Sequence, residues 1–282
     1  MLRLKQFYTL TKPGIIYGNT LTVLAGYLYA SDWKIDFLKL IAVTIGSALV
    51  IGSAGVINNI LDRTIDQRMD RTKQRPLISG AITFKEALWF GTLLAILGFG
   101  LLLLTNYLVL VLGIVGYLDY LVLYSYFKRR SRFSTLVGTI SGAVPLVAGY
   151  ETYLDKLNLI ALILFLFMVF WQMVHFYAIA INRIKEYKKA QIPLNPIVKS
   201  INNTILQIRL FYLGLVIDLI LLGLYGGISL VVDLIGGLIL LYWSSFIFQS
   251  MDPKSYKSWA QRIFKMSLIF LLVFSFLIVL PK

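Results

Sequence analysis

The chain has no cysteine. Disulfides and cysteine-ligated metal sites are therefore excluded. Histidine occurs once, at position 175. Acid is scarce, with 13 Asp and Glu against 27 Lys and Arg, and the formal net charge is +14. No Walker loop, dinucleotide fingerprint, zinc motif or nucleophile elbow is present. Domain linkers, low-complexity tracts and soluble insertions are absent too, so residues 1–282 read as one unit.

What fills the chain is apolar. Hydrophobic residues make up 59% of it and the mean hydropathy is +0.80. A membrane helix needs about 20 mostly apolar residues. The runs at 14–30, 38–60, 86–104, 107–126, 134–150, 157–182, 204–224, 228–248 and 263–280 supply such segments. Backbone polar groups in a bilayer must be satisfied within a helix or a closed barrel, and these runs are too long and too uniformly apolar for barrel strands. The expectation is an all-α, multi-pass transmembrane helical bundle of about nine helices. The first run, near Ile15 to Ala30, follows Arg3, Lys5 and Lys12 as a signal peptide would. The many spans after it favour a retained helix.

The positive charge alternates between loops. Basic residues collect before the first span and after the second, fourth, sixth and eighth. Only Lys34, Lys39, Lys156 and Lys282 of the 27 fall elsewhere. The positive-inside rule then places the N-terminus in the cytoplasm and, after nine spans, the C-terminus outside. Cationic loops beside anionic headgroups account for the charge without nucleic acid. An anionic substrate is a second use for it.

The stretch from Asn58 to Leu77 carries the strongest signal. Asn58, Asp62, Asp66 and Asp70 recur every four residues. On one continuous helix they share a face and form a ladder roughly 12 Å long. Like charges on a face repel, and hard carboxylate oxygens suit Mg²⁺. Mg²⁺ is usually held by one or two carboxylates plus substrate phosphates. Arg71 and Arg75 form a second four-residue pair, suited to phosphate oxygens. The bland alternative is a solvated loop rich in both signs.

Two further stretches follow. Tyr124 to Ser131 ends the fourth span and includes Lys128 and Arg129. These cations either anchor the helix or, beside a Mg²⁺-diphosphate site, neutralise a leaving diphosphate. Tyr117, Tyr120 and Tyr124 share a face and serve either as packing or as a wall for an allylic cation. Trp171, Gln172 and His175 lie inside the sixth span. An intramembrane ionisable residue is functional by default, and an interhelical hydrogen bond is the alternative. Asp119 and Asp218 are also intramembrane acids, with nothing nearby that specifies a role.

Together the three stretches resemble the UbiA superfamily of membrane prenyltransferases, and within it the protoheme IX farnesyltransferase branch. The superfamily's first motif is met by Asn58, Asp62, Asp66, Arg71, Thr72, Arg75, Pro76 and Leu77, with Asn59 where most members have aspartate. The branch signature is similar to Tyr124–Arg130, Thr135–Gly138, Gly142–Pro145, Trp171–Phe176, Lys185–Tyr187 and Ile192–Leu194. The resemblance covers about Leu4 to Ser200. Two departures stand out. Val174 replaces the proline usual before the histidine, and Asn182, Lys185 and Glu186 occupy the place of a second aspartate-rich motif. These three are the candidates for any second metal.

The resemblance implies transfer of farnesyl from farnesyl diphosphate to a vinyl group of haem b, with hydration, giving haem o in the plasma membrane. Asn58, Asp62 and Asp66 would hold Mg²⁺. Asn58, Arg71, Arg75, Lys128 and Arg129 would hold the diphosphate. Tyr117, Tyr120, Tyr124, Trp171 and Gln172 would line the prenyl and haem pocket. His175 would ligate haem iron or accept a proton. Asp70 becomes a bystander, and the site opens to the cytoplasm. Other readings are an aromatic acceptor from quinone or lipid synthesis, and a non-enzymatic transporter. The reaction also leaves room for a haem-handling or oxidase-assembly partner.

Overall fold

The computed structural model describes residues 2–250 and 252–281; Lys282, counted above among the outer charges, lies outside them. The described residues are helical and contain no strand. A short amphipathic helix, α1 (Leu2–Leu10), precedes α2 (Pro13–Ser31) and α3 (Phe37–Leu61). One turn, α4 (Arg63–Asp66), leads through a loop to α5 (Phe84–Leu103). Next comes α6 (Tyr107–Leu118), which runs through a π-helical segment, Asp119–Tyr124, into α7 (Ser125–Lys128). After α8 (Ser134–Leu154) and α9 (Leu159–Asn182) come the short α10 (Ile184–Lys189) and α11 (Asn195–Val198). The chain ends in α12 (Ile201–Gly226), α13 (Leu230–Ile247) and, after a 3₁₀ turn, α14 (Tyr256–Leu277). Counting α6 to α7 as one, the nine long helices among the described residues match the nine apolar runs.

The helix starts follow from local chemistry. Side-chain oxygens of Asp36, Asn106, Asn158 and Ser200 each accept the backbone N–H three residues on. Thr83 and Glu86 close a reciprocal capping box at α5. Each cap satisfies a donor that a helix end leaves orphaned.

Seven of the long helices are long and apolar enough to cross a membrane, and the protein is an integral membrane protein. α2 and α8 are the less apolar pair. Many of their small, hydroxylated and aromatic residues, among them Thr22, Gly26, Tyr27, Thr139, Gly149 and Tyr150, are buried against protein. Gly26 of α2 packs on the Leu146 carbonyl of α8, and Gly149 of α8 packs on the Val23 carbonyl of α2; a Cβ at either position would overlap that oxygen. Small residues let membrane helices approach closely. Gly46 and Gly98 join α3 to α5 in the same way.

The main core lies among α8, α9, α12, α13 and α14, around Phe167, Tyr212, Trp243 and Phe270. A smaller cluster joins α10 and the loop after it to the chain around α4, through Ile65, Met69, Tyr187, Ala190 and Ile192. It brings the stretch after α9 to the same end of the bundle as the acids after α3.

Candidate functional site

The four-residue ladder does not run along one helix. α3 ends at Leu61, Asp62 leaves helical geometry at φ −88° and ψ 5°, and the single turn of α4 follows. Asn58, Asp62 and Asp66 stay buried, while Asp70 is carried to the surface. There it pairs with Lys73 at 2.9 Å and Lys189 at 3.4 Å. Those two ammonium groups hold its carboxyl below the usual range, Lys73 first. The expected 12 Å rail of acids is thus a bent nest. Within the turned segment the Thr72 hydroxyl donates to the Asp66 carbonyl at 2.8 Å.

Both buried acids of the nest are paired with cations. Lys128 donates to Asp62 Oδ2 at 2.5 Å, with Arg129 3.9 Å from Oδ1. Arg129 also donates to the Leu61 carbonyl. Arg75 donates to Asp66 Oδ2 at 2.5 Å and to Asn59 Oδ1 at 2.8 Å. Asn59 in turn donates to the Leu10 carbonyl at 2.8 Å. The asparagine at the motif's second position therefore ties α1 to the site. Arg71 is exposed and has no polar partner among the described residues.

Lys12 is the site residue that sequence reasoning missed, since it counted only as one of the N-terminal charges. It lies in the link between α1 and α2, with left-handed backbone at φ 57°. A non-glycine residue there carries strain of about 1 kcal/mol or more. Its ammonium donates to Asn58 Oδ1 at 2.5 Å and to the Tyr120 hydroxyl at 3.2 Å. Burial, followed by the Arg75 and Lys128 charges, pushes its pKa down to about 7, against the pull of Asp62 and Asp66. The nest thus holds a surplus of closely spaced cations that an anion would relieve.

The tyrosines are placed by the π-helical segment, which the 3.6-residue period does not anticipate. Such bulges recur at functional sites. Tyr120 and Tyr124 stack face to face, 5.5 Å apart and 6° from parallel. Lys12 lies 5.7 Å from the Tyr120 ring and Lys128 the same distance from the Tyr124 ring. Gly138 leaves room for Tyr124, since a Cβ there would stand 2.7 Å from the ring. Tyr117 is set apart: its hydroxyl lies 3.0 Å from that of Ser53, and its ring packs on Phe99.

On α9, Trp171 and His175 stack with ring centres 4.9 Å apart. His175 Nδ1 lies 2.7 Å from the Ser267 hydroxyl of α14. Gln172 donates to the Thr139 carbonyl of α8 at 3.2 Å, over Gly142. Of the residues standing where a second acidic motif would be, Asn182 accepts from Gln261 at 3.2 Å and Lys185 is exposed. One carboxylate oxygen of Glu186 is buried without a hydrogen-bond partner among the described residues.

The nest fits a hard cation. Asp62 Oδ1 is buried without a hydrogen bond, and buried polar atoms are normally satisfied; the buried Asn58 Nδ2, also without a partner among the described residues, is a donor and suits a phosphate oxygen instead. Among the described residues no three Asp, Glu or His side chains gather as a ready-made metal cage. Mg²⁺ does not need one, because it keeps waters and takes phosphate oxygens.

The solved structures show the same fold. A digeranylgeranylglyceryl phosphate synthase matches with a TM-score of 0.81 at 22% identity, covering 100% of this chain and 99% of that one. A UbiA homolog from Archaeoglobus fulgidus bound to GPP and Mg²⁺ matches with a TM-score of 0.71 at 14% identity, over 97% of this chain and 99% of that one. In sequence, the protoheme IX farnesyltransferase of Pseudomonas syringae pv. syringae is 40% identical over 271 residues, covering 95% of this chain and 91% of the relative. The sequence pattern of the UbiA prenyltransferase family spans residues 19–269. The chain belongs to the UbiA prenyltransferase family.

Proposed function

We propose that this chain transfers a farnesyl group from farnesyl diphosphate to a vinyl group of haem b and adds water, giving haem o. The observation that carries this reading is the pairing of two buried carboxylates, Asp62 and Asp66, with Lys128 and Arg75, beside the Lys12 ammonium. The likeness to protoheme IX farnesyltransferases over most of the chain supports the choice of acceptor.

Farnesyl diphosphate binds with its diphosphate in the nest. Asp62, Asp66 and the Asn58 oxygen would hold Mg²⁺, which would supply charge neutralisation for the leaving group. Lys12, Lys128 and Arg75 turn from these side chains toward phosphate oxygens. The allylic C–O bond breaks, and diphosphate leaves with the bonding electrons. Tyr120 and Tyr124 face the allylic cation and stabilise it by cation–π attraction. The vinyl π electrons of haem b form the new C–C bond, and the cation moves to the porphyrin side chain. Water adds there and loses one proton. Haem b, farnesyl diphosphate and water thus become haem o and diphosphate. The protein supplies position, fixed charge and control of water. His175 serves the haem side, as an iron ligand. Glu186 and Asn182, in and just before α10, would hold any second metal.

The N-terminus and the nest lie on the cytoplasmic side of the plasma membrane, the C-terminus outside. The retained positive charge of the nest-side loops supports this orientation. Supplying the purified protein with farnesyl diphosphate and Mg²⁺, and with haem b and an aromatic acid in competition, tests the reading. Prenylated haem is expected. Prenylation of the aromatic acid alone would make the chain a quinone-type prenyltransferase.

A further inference from the structure

Ser267 of α14 meets one ring nitrogen of each member of the Trp171–His175 pair. Its carbonyl accepts from Trp171 Nε1 at 2.8 Å, and its hydroxyl lies 2.7 Å from His175 Nδ1. The same hydroxyl lies 2.6 Å from the Phe264 carbonyl. Ser267 is fully buried. A carbonyl oxygen has no proton to give, so two oxygens at that separation need the serine proton between them. A hydroxyl has one proton. Once it is on Phe264, Ser267 offers His175 only lone pairs. Nδ1 must then be the donor.

The rest follows from the surroundings. Trp171, Phe176 and Phe264 wall the imidazole with aromatic rings. None of them is a carboxylate, and an unpaired buried charge is costly. A neutral imidazole with its proton on Nδ1 has a bare lone pair on Nε2. No described residue hydrogen-bonds to Nε2. An imidazole that ligates a metal almost always donates its other N–H to a fixed acceptor. Here that acceptor is a serine oxygen, weaker than a carboxylate. It fixes the tautomer without lending the ring anionic character, which suits a ligand that must release its product.

We propose that Ser267 is a positioning residue that locks His175 as the Nδ1–H tautomer and so presents the Nε2 lone pair to the iron of the haem substrate. The iron half of this inference rests on the haem reading above; the tautomer half does not. The chain has a single histidine, so ¹⁵N-histidine labelling gives one imidazole spectrum from the full-length protein. Long-range ¹H–¹⁵N correlation of the haem-free protein should show Nδ1 protonated and Nε2 bare. An Nε2–H tautomer or an imidazolium in the native protein would overturn the proposal, whether or not any variant folds. Ser267→Ala should shift the tautomer balance and weaken haem b binding roughly tenfold, with farnesyl diphosphate binding unchanged. Ser267→Thr, which keeps the hydroxyl, should restore both. An unchanged histidine spectrum in Ser267→Ala would contradict the lock. A native Nδ1–H spectrum with haem binding unaffected by His175→Ala would overturn the iron half alone.

Discussion

The Lys12 ammonium stands 2.5 Å from the side-chain oxygen of Asn58, a residue 46 positions further along the chain. That contact links the start of α2 to the end of α3 and puts a further cation beside two acids already paired with Lys128, Arg129 and Arg75. A charge-assisted hydrogen bond contributes about 1.5–3 kcal/mol, or roughly 10- to 100-fold in affinity. Lys12→Met should therefore weaken farnesyl diphosphate binding by about that factor and leave haem b binding unchanged. Titration of the two substrates separately checks it. Equal losses for both would assign Lys12 to the fold and not to the diphosphate.

Asp62→Ala and Asp66→Ala should each abolish turnover while the bundle stays folded. Asp70→Ala should turn over normally, because its pairs with Lys73 and Lys189 are on the surface. Exposed pairs of that kind contribute little to stability. Single-turnover assays at saturating Mg²⁺, with detergent-solution circular dichroism for folding, separate the three. Activity in either of the first two variants would break the metal assignment.

Gly138 gives Tyr124 its place, so Gly138→Ala should force the ring out of its stack with Tyr120. Overpacking of this sort costs about 1–3 kcal/mol. The expected result is a fall of roughly tenfold or more in kcat/KM with an unchanged Mg²⁺ requirement. Steady-state kinetics with varied farnesyl diphosphate reads it, and wild-type values would remove the tyrosine stack from the reaction.

Gly26→Ala and Gly149→Ala address the fold alone. Each new methyl would strike a backbone carbonyl across the α2–α8 contact, where no side chain can move aside. Loss of stability at the upper end of single substitutions, more than about 4 kcal/mol, is expected. Thermal unfolding in detergent should show it, and Gly14→Ala, where a Cβ meets nothing, is the control. Equal midpoints for all three would mean that the two helices are not in close contact.

Most of the architecture was legible because a bilayer demands long apolar runs, and the nine runs became nine long helices among the described residues. α2 and α8 remained visible although their small and hydroxylated residues lower their hydropathy. Asp62, Asp66 and Arg75 were legible from spacing and chemistry. Three features were not. The break at Asp62 is accompanied by contacts of Thr72 and Arg75 with Asp66, 6 and 9 residues further along, so four-residue spacing suggested a straight ladder reaching Asp70. The π-helical segment changes the angular step locally, which separates Tyr117 from Tyr120 and Tyr124. Lys12 and Ser267 enter the site only through packing between helices far apart in the chain. A lysine before a proline and a serine in an apolar span give no signal of it.

The most direct test is one reaction in isotopic water. The purified protein is given haem b, farnesyl diphosphate and Mg²⁺ in H₂¹⁸O, and the haem is extracted for mass spectrometry. The account predicts a product heavier than haem b by one farnesyl group and one ¹⁸O-labelled hydroxyl, with diphosphate released in equal amount. Unchanged haem b beside hydrolysed farnesyl diphosphate, or a farnesylated haem without the labelled oxygen, would contradict it.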